Sequence, residues 1–114
     1  MDRIAKLVDE LIYLYKTRSP LDLCKKLGIN VIFIDLPQNT NGLFVKTKDN
    51  RKLILINKDI ILKDSEKLKK VCAHELGHAL LHSDQNICCF ESNLNLVKTL
   101  DEEADAFAKA LLNK

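Results

Sequence analysis

VCAHELGHALLH, residues 71–82, is the stretch that decides the fold, and it holds all three histidines of the 114-residue chain. His74 and His78 stand four positions apart, so in a helix their side chains are neighbours on one face. Two imidazoles placed in this way can bind one metal ion. Glu75, one residue further around the helix, can serve as a general base without binding the metal. The alternative is a polar helix face without a site.

The remaining positions of this helix predict how it packs. A core face is predicted on the side opposite the histidines, formed by Leu68, Cys72, Leu76, Ala79 and Leu80. Gly77, between the two histidines, costs about 1 kcal/mol of helix stability relative to Ala. A close approach by another backbone would explain why glycine stands at this position.

His82 is the third histidine, but it is badly placed for the same metal. It lies eight residues beyond His74, which is about 12 Å along a helix axis at 1.5 Å per residue. It therefore cannot complete a coordination sphere with His74. A functional role for His82 and a purely structural one both stay open.

A catalytic zinc ion needs a third protein ligand, and the helix predicted over residues 97–112 offers acidic candidates. Glu103 lies on the flank of the apolar stripe of this helix, where a carboxylate is costly to bury without a cation. We predict Glu103 as the third ligand, with Glu102 as the alternative. Asp101 and Asp105 are expected to be solvated or to cap the helix.

The regions before this helix have their own patterns. Apolar residues recur with helical period over residues 3–16, and Ser19-Pro20 is typical of a helix start, with a stop at Gly28. β-branched and aromatic runs separated by turn residues predict three strands, over residues 29–36, 43–46 and 52–57. The site helix is predicted over residues 64–82, and an irregular segment over residues 83–97.

We predict an α+β fold: N-terminal helices, a small three-stranded antiparallel sheet, the HExxH helix, and a C-terminal helix with the third ligand. Residues 1–114 are too few for two hydrophobic cores, so a single minimal domain is expected. No apolar run approaches the roughly 20 residues that span a bilayer, so we expect no membrane segment. The N-terminus has no features of a secretory signal.

Charge and cysteine content narrow the function classes. A net charge of +2 with dispersed lysines, and no Trp, argues against direct nucleic-acid binding. The cysteines are Cys24, Cys72, Cys88 and Cys89. We interpret them as reduced thiols of a cytoplasmic protein. For Cys88 and Cys89, a structural zinc site or a redox switch is the alternative to packing. We expect a monomer, although the oligomeric state is open.

Two motifs together resemble the ImmA/IrrE family of metallopeptidases: AHELGHALLH (73–82) and EEADAFA (102–108). The upstream segments LGINVIFID, NGLFV and KLILIN are similar to that family as well, so the resemblance covers nearly the whole chain. It implies a gluzincin-like fold in which His74, His78 and Glu103 bind zinc and Glu75 is the base. One departure is Asp105, where the family more often has Asn.

The resemblance also implies an activity. Members of the family cleave helix-turn-helix repressors of the XRE type and so release genes of phages or other mobile elements. The expected function is therefore that of a zinc endopeptidase, with Mn²⁺ as the alternative metal. Two other functions share the chain's features: a non-cleaving antirepressor that sequesters its target, and a component of a toxin system.

Overall fold

The computed structural model describes residues 2–37, 39–82 and 94–113, and the predicted α+β class is confirmed. Its described helices are α1 (Asp2–Tyr15), α2 (Pro20–Lys26), α3 (Asp59–Lys63), α4 (Ser65–Leu81) and α5 (Leu94–Leu112). Its described strands are β1 (Asn30–Ile34), β2 (Gly42–Lys46) and β3 (Lys52–Asn57).

Side chains fix where two of the helices begin. The Ser19 hydroxyl accepts a hydrogen bond from the backbone N–H of Asp22, and Pro20 follows it at the first position of α2. At the start of α4, the Asp64 carboxylate accepts from the N–H groups of residues 66 and 67. These caps satisfy backbone donors that have no partner within the helix. The N-terminal end of the HExxH helix is therefore set locally.

The structure differs from the predicted elements in two places. A short helix, α3, lies between β3 and α4, and its five residues are too few to show a helical period in the sequence. Residues 94–97, predicted to be irregular, already belong to α5. Cys88 and Cys89 lie outside the described residues.

The sheet is mixed, so the predicted antiparallel sheet is wrong. Its order is β1-β3-β2, in which β3 pairs parallel with β1 and antiparallel with β2. The turn-forming residues after β1 suggested a hairpin between consecutive strands. Instead, β3, the most buried of the three described strands, takes the central position, where Ile54 and Ile56 are fully buried.

Asn57, the last residue of β3, stabilises this arrangement. Its side-chain amide donates to the carbonyls of Leu36 and Thr40, and its backbone N–H donates to the Asn41 carbonyl. The connection from β1 to β2 is thereby held across the end of β3. This leaves room for β3 between the other two strands.

The core lies between the sheet and the helices. α4 is central, because it packs against α2, α3, α5, β2 and β3. It contributes Cys72 and Leu76 to the core, which Phe107 of α5 joins. Cys24 and Cys72 are buried free thiols. Among the described residues, no helix is long and apolar enough to cross a membrane.

Candidate active site

The site is built where α5 crosses α4, and Gly77 permits their close approach. A Cβ atom on Gly77 would lie 3.1 Å from the Cα atom and 3.2 Å from the carbonyl oxygen of Ala104. Such contacts with backbone atoms are tighter than most contacts that a Cβ atom makes, so the neighbouring backbone would have to move. The expected close approach by another backbone at Gly77 is therefore confirmed. It brings the acidic residues of α5 over the histidines of α4.

Three side-chain atoms converge on the exposed side of this crossing. The Nε2 atom of His78 lies 3.2 Å from His74 Nε2 and 3.0 Å from Asp101 Oδ1. The third distance, from His74 Nε2 to Asp101 Oδ1, is 3.4 Å. Within the described part of the chain, this trio is the group that could hold a metal ion.

The trio fits a tetrahedral metal ion. Zinc bonds of about 2.0–2.1 Å place any two ligand atoms of a tetrahedron about 3.3 Å apart, close to the observed 3.0, 3.2 and 3.4 Å. The chemistry agrees with the spacing. Imidazole nitrogens and a carboxylate oxygen are donors that zinc prefers.

Asp105 orients the first of the two histidines. Its Oδ1 atom lies 2.7 Å from His74 Nδ1. A carboxylate only accepts hydrogen bonds, so the ring proton of a neutral His74 must be on Nδ1. The Nε2 lone pair is then left facing Asp101 and His78. This is the carboxylate–histidine arrangement that commonly supports metal ligands.

Burial keeps the second histidine neutral. His78 is buried, and this burial lowers its pKa below the ordinary value, with a further lowering from the nearby His74. A protonated imidazole cannot bind a metal, so the lowered pKa favours the binding form.

Glu75 lies beside the trio but does not belong to it. It is only 8% exposed, and burial raises its pKa from 4.5 to about 7, while the proximity of His74 opposes the rise. A carboxyl group with a pKa near neutrality can both accept and return a proton, as a general base that later acts as an acid must.

The edge strand β2 lies directly against this glutamate. A Cβ atom on Gly42, the first residue of β2, would lie 3.1 Å from Glu75 Cγ and 2.8 Å from Val71 Cγ1. A side chain at this position would therefore require a neighbouring group to shift. Since β2 pairs with β3 along one side, its other side forms an edge of the described sheet beside Glu75.

The structure separates Glu103, the predicted third ligand, from the trio. Its Oε1 atom lies 2.9 Å from His82 Nε2, and its Oε2 atom accepts from Arg3 Nη2 at 2.7 Å. Glu102, the alternative, is exposed. The predicted residues His74, Glu75 and His78 are brought together, whereas Glu103 reaches the site only through another histidine.

Asp101 and Asp105, which the sequence interpretation expected to be solvated or to cap the helix, are the α5 carboxylates that the structure places next to His78 and His74. A signal for them was available, because they are four residues apart on α5, as His74 and His78 are on α4. Residues i and i+4 share a helix face. Two such pairs on crossing helices can meet. The prediction of Glu103 rested only on its position beside the apolar stripe of α5.

Comparison with known proteins places the chain in a family. The model of the IrrE N-terminal-like domain, a peptidase family, matches residues 24–112. The chain belongs to the ImmA/IrrE family. The chain is also 39% identical over 106 residues to a protein of Bacillus phage phi105 named "Uncharacterized immunity region protein 2". The alignment covers 92% of the chain and 65% of that relative's length.

The ImmA/IrrE family model is that of a peptidase family. The family is metal-dependent, and the group formed by His74, His78 and Asp101 could bind the metal.

Proposed function

We propose that the chain is a zinc-dependent endopeptidase that hydrolyses a peptide bond in a partner protein. The observation that supports this proposal best is the trio of His74, His78 and Asp101, whose donor atoms are 3.0–3.4 Å apart beside the buried Glu75. A helix face without a function has no need for three metal-binding atoms next to a carboxyl group with a raised pKa.

The proposed metal ligands are His74, His78 and Asp101. This set replaces Glu103, whose two oxygens contact His82 and Arg3. Two imidazoles and one carboxylate at tetrahedral spacing favour Zn²⁺ over Mn²⁺, which prefers more oxygen ligands in an octahedral arrangement. A bound Zn²⁺ ion supplies a Lewis acid that polarises the scissile carbonyl and makes water more acidic.

Glu75 is the proposed catalytic base. It accepts a proton from the attacking water as the carbon–oxygen bond forms, and then delivers that proton to the amine nitrogen as the peptide bond breaks. The same carboxyl group acts in both steps. Its burial raises the pKa and the nearby His74 opposes the rise, and a bound Zn²⁺ ion would lower this pKa further.

The edge of β2 is the proposed binding place for the substrate backbone. An extended peptide can pair with an exposed sheet edge as an added strand. Gly42, at the start of β2, is in contact with the Glu75 region. A peptide paired along β2 would therefore run past the base and the trio, which suits cleavage within a chain rather than at its end.

The proposed substrate is a helix-turn-helix repressor of the XRE type that belongs to a phage or another mobile element. The support is family membership together with the name of the phage phi105 relative, which assigns that protein to an immunity region. Because the chain spans 65% of that relative, what the whole relative does is not transferred directly.

The test is incubation of the purified chain with the XRE-type repressor encoded nearest to its gene, followed by mass spectrometry of the products. Cleavage should require Zn²⁺ and should stop when a chelator removes the metal. The Glu75→Gln variant should keep the fold and the bound metal but lose cleavage by several orders of magnitude. Glu102→Gln, which removes the same charge from an exposed position, is the matched control.

A different outcome would favour the non-cleaving antirepressor. If Glu75→Gln relieved repression as fully as the wild type, hydrolysis would not be the function. Sequestration of the repressor would then explain the effect, because binding alone needs no base.

A further inference from the structure

Glu103 and His82 form a hydrogen-bonded path that leads away from the metal trio. His78 Nδ1 lies 3.0 Å from His82 Nδ1, and His82 Nε2 lies 2.9 Å from Glu103 Oε1. The other Glu103 oxygen accepts from Arg3 of α1 at 2.7 Å. We call these four residues, His78, His82, Glu103 and Arg3, the relay.

His82 is placed in the relay by the end of α4. Its backbone N–H donates to the His78 carbonyl at 2.8 Å, as the C-terminal cap of the helix. The ring is only 3% exposed, and both of its nitrogens have partners. A buried polar ring needs such partners, because an unsatisfied donor or acceptor in the interior costs free energy.

The direction of the hydrogen bonds follows from the carboxylate. Glu103 can only accept, so a neutral His82 must have its proton on Nε2, and its Nδ1 atom must accept. The proton between the two Nδ1 atoms then belongs to His78. With its proton on Nδ1, His78 has a lone pair on Nε2, the atom that faces Asp101.

We propose that Glu103 and His82 are positioning residues, which fix the tautomer and the ring orientation of His78 for metal binding. Each metal-binding histidine then has a carboxylate behind it: Asp105 contacts His74 directly, whereas Glu103 acts on His78 through His82. This inference rests on the proposed metal site. Glu103 would then influence the metal site indirectly, through His82 and His78.

The test measures metal affinity and histidine tautomers, not peptidase activity. Glu103→Ala should weaken Zn²⁺ binding, measured by competition with a chelator, about 10–100-fold, as is typical when an outer-shell partner is lost. Glu102→Ala is the control, because it removes the same charge from the neighbouring exposed position on α5. Its Zn²⁺ affinity should stay within about twofold of the wild type.

A second pair of variants tests the histidine. His82→Asn places an amide oxygen near the position of Nδ1, so it can still accept from His78, whereas His82→Leu cannot. We expect weaker Zn²⁺ binding in the Leu variant than in the Asn variant. The visible spectrum of the Co²⁺-loaded proteins should change with Leu and stay close to wild type with Asn.

The tautomer of His82 can be observed in the Zn²⁺-loaded protein, in which His78 would bind the metal through Nε2 and donate from Nδ1. Long-range ¹H–¹⁵N correlation spectra of the Zn²⁺-loaded wild type should show His82 with its proton on Nε2. Glu103→Ala should shift His82 toward the Nδ1–H form, and Glu102→Ala should not.

Unchanged Zn²⁺ affinity and an unchanged tautomer in Glu103→Ala would overturn the relay while leaving the metal site intact. A wild-type chain that binds no Zn²⁺ would instead overturn the proposed function. Urea unfolding of each metal-free variant shows whether it is folded. If His82→Leu does not fold, Glu103→Ala, at a partly buried position, still decides the question.

Discussion

At the scale of single residues, Glu75 shows how the fold adjusts a functional group. Its carboxyl group ionises near 4.5 when it is free, and burial raises the pKa to about 7 in the folded chain without metal. Between these pH values the folded chain holds a proton that the unfolded chain has released. The raised pKa therefore links the stability of the metal-free protein to pH.

The first prediction concerns this linkage. The stabilising contribution of the neutral carboxyl is complete below pH 4.5 and is lost as the pH rises through about 7. Relative to Glu75→Gln, which cannot ionise, the metal-free wild type should lose on the order of 3 kcal/mol of unfolding free energy across this range. Urea unfolding at a series of pH values measures the difference.

The comparison isolates the effect of Glu75. His78 titrates in both proteins, so the contribution of His78 to the pH dependence of stability largely cancels. The pKa of His78 is lowered, mainly by burial, and its effect on stability has the opposite sign. If the wild type and Glu75→Gln gave parallel stability curves between pH 4 and pH 8, the carboxyl group would not have a raised pKa.

The candidate site could be predicted from sequence only where its chemistry is local. His74, Glu75 and His78 lie in one helical turn, so their spacing alone fixes their relation. Asp101 and Glu103 are two residues apart on a second helix, and which of them lies next to His74 and His78 depends on how α5 rotates against α4. The contact at Gly77 sets that rotation. The sequence indicated that another backbone approaches Gly77, but it did not indicate which face of α5 does so.

At the scale of elements, the α4–α5 contact positions the proposed metal ligands of both helices. Gly77→Ala should therefore lower the free energy of unfolding, although the higher helix propensity of alanine favours the variant by about 1 kcal/mol. The added methyl group would meet backbone atoms of Ala104 at 3.1–3.2 Å, which cannot be relieved by a change of rotamer. We expect a net destabilisation of about 1–3 kcal/mol, as is usual for overpacking.

The same variant should weaken Zn²⁺ binding, because Asp101 and Asp105 move with α5. Urea unfolding and chelator competition measure the two effects. Lys70→Ala, an exposed change on the same helix, should alter neither. Gly77→Ala with greater stability and unchanged Zn²⁺ affinity would show that the helices do not need this close contact.

The contact between β2 and α4 makes a second prediction at this scale. In Gly42→Ala the new methyl group would crowd Val71 Cγ1 and Glu75 Cγ, at 2.8 Å and 3.1 Å. Displacement of the base or of the substrate edge should lower kcat/KM for repressor cleavage by about 10–100-fold. Val71→Ala removes the nearer clash, so the double variant should recover part of the loss.

A double-mutant cycle on kcat/KM measures this coupling. Strictly additive effects of Gly42→Ala and Val71→Ala would mean that the clash with Val71 does not control the position of Glu75.

The sheet shows which features of the fold could not be predicted from the sequence. Strand positions followed from composition, but strand order depended on long-range bonds such as those of Asn57 with Leu36 and Thr40.

At the scale of the whole molecule, α1 connects to the rest through the core and through the relay. It lies outside the residues that the family model matches, 24–112, yet it packs against α5 and its side chains Ile4, Val8 and Leu11 are buried in the common core. Arg3, at its start, reaches Glu103. The expected single domain of residues 1–114 therefore requires that α1 unfold together with the site.

Ile4→Ala tests this requirement. Ile4 is 2% exposed in the core that contains Leu76 and Phe107, so truncation should cost about 2–5 kcal/mol. Leu14→Ala on the same helix is the control, because Leu14 is 66% exposed and should stay within about 0.5 kcal/mol. Urea unfolding should give one transition with an unchanged m value and a lower midpoint. Two separate transitions in Ile4→Ala would mean that α1 unfolds independently, and the Arg3 end of the relay would then belong to a less stable part of the molecule than the metal site.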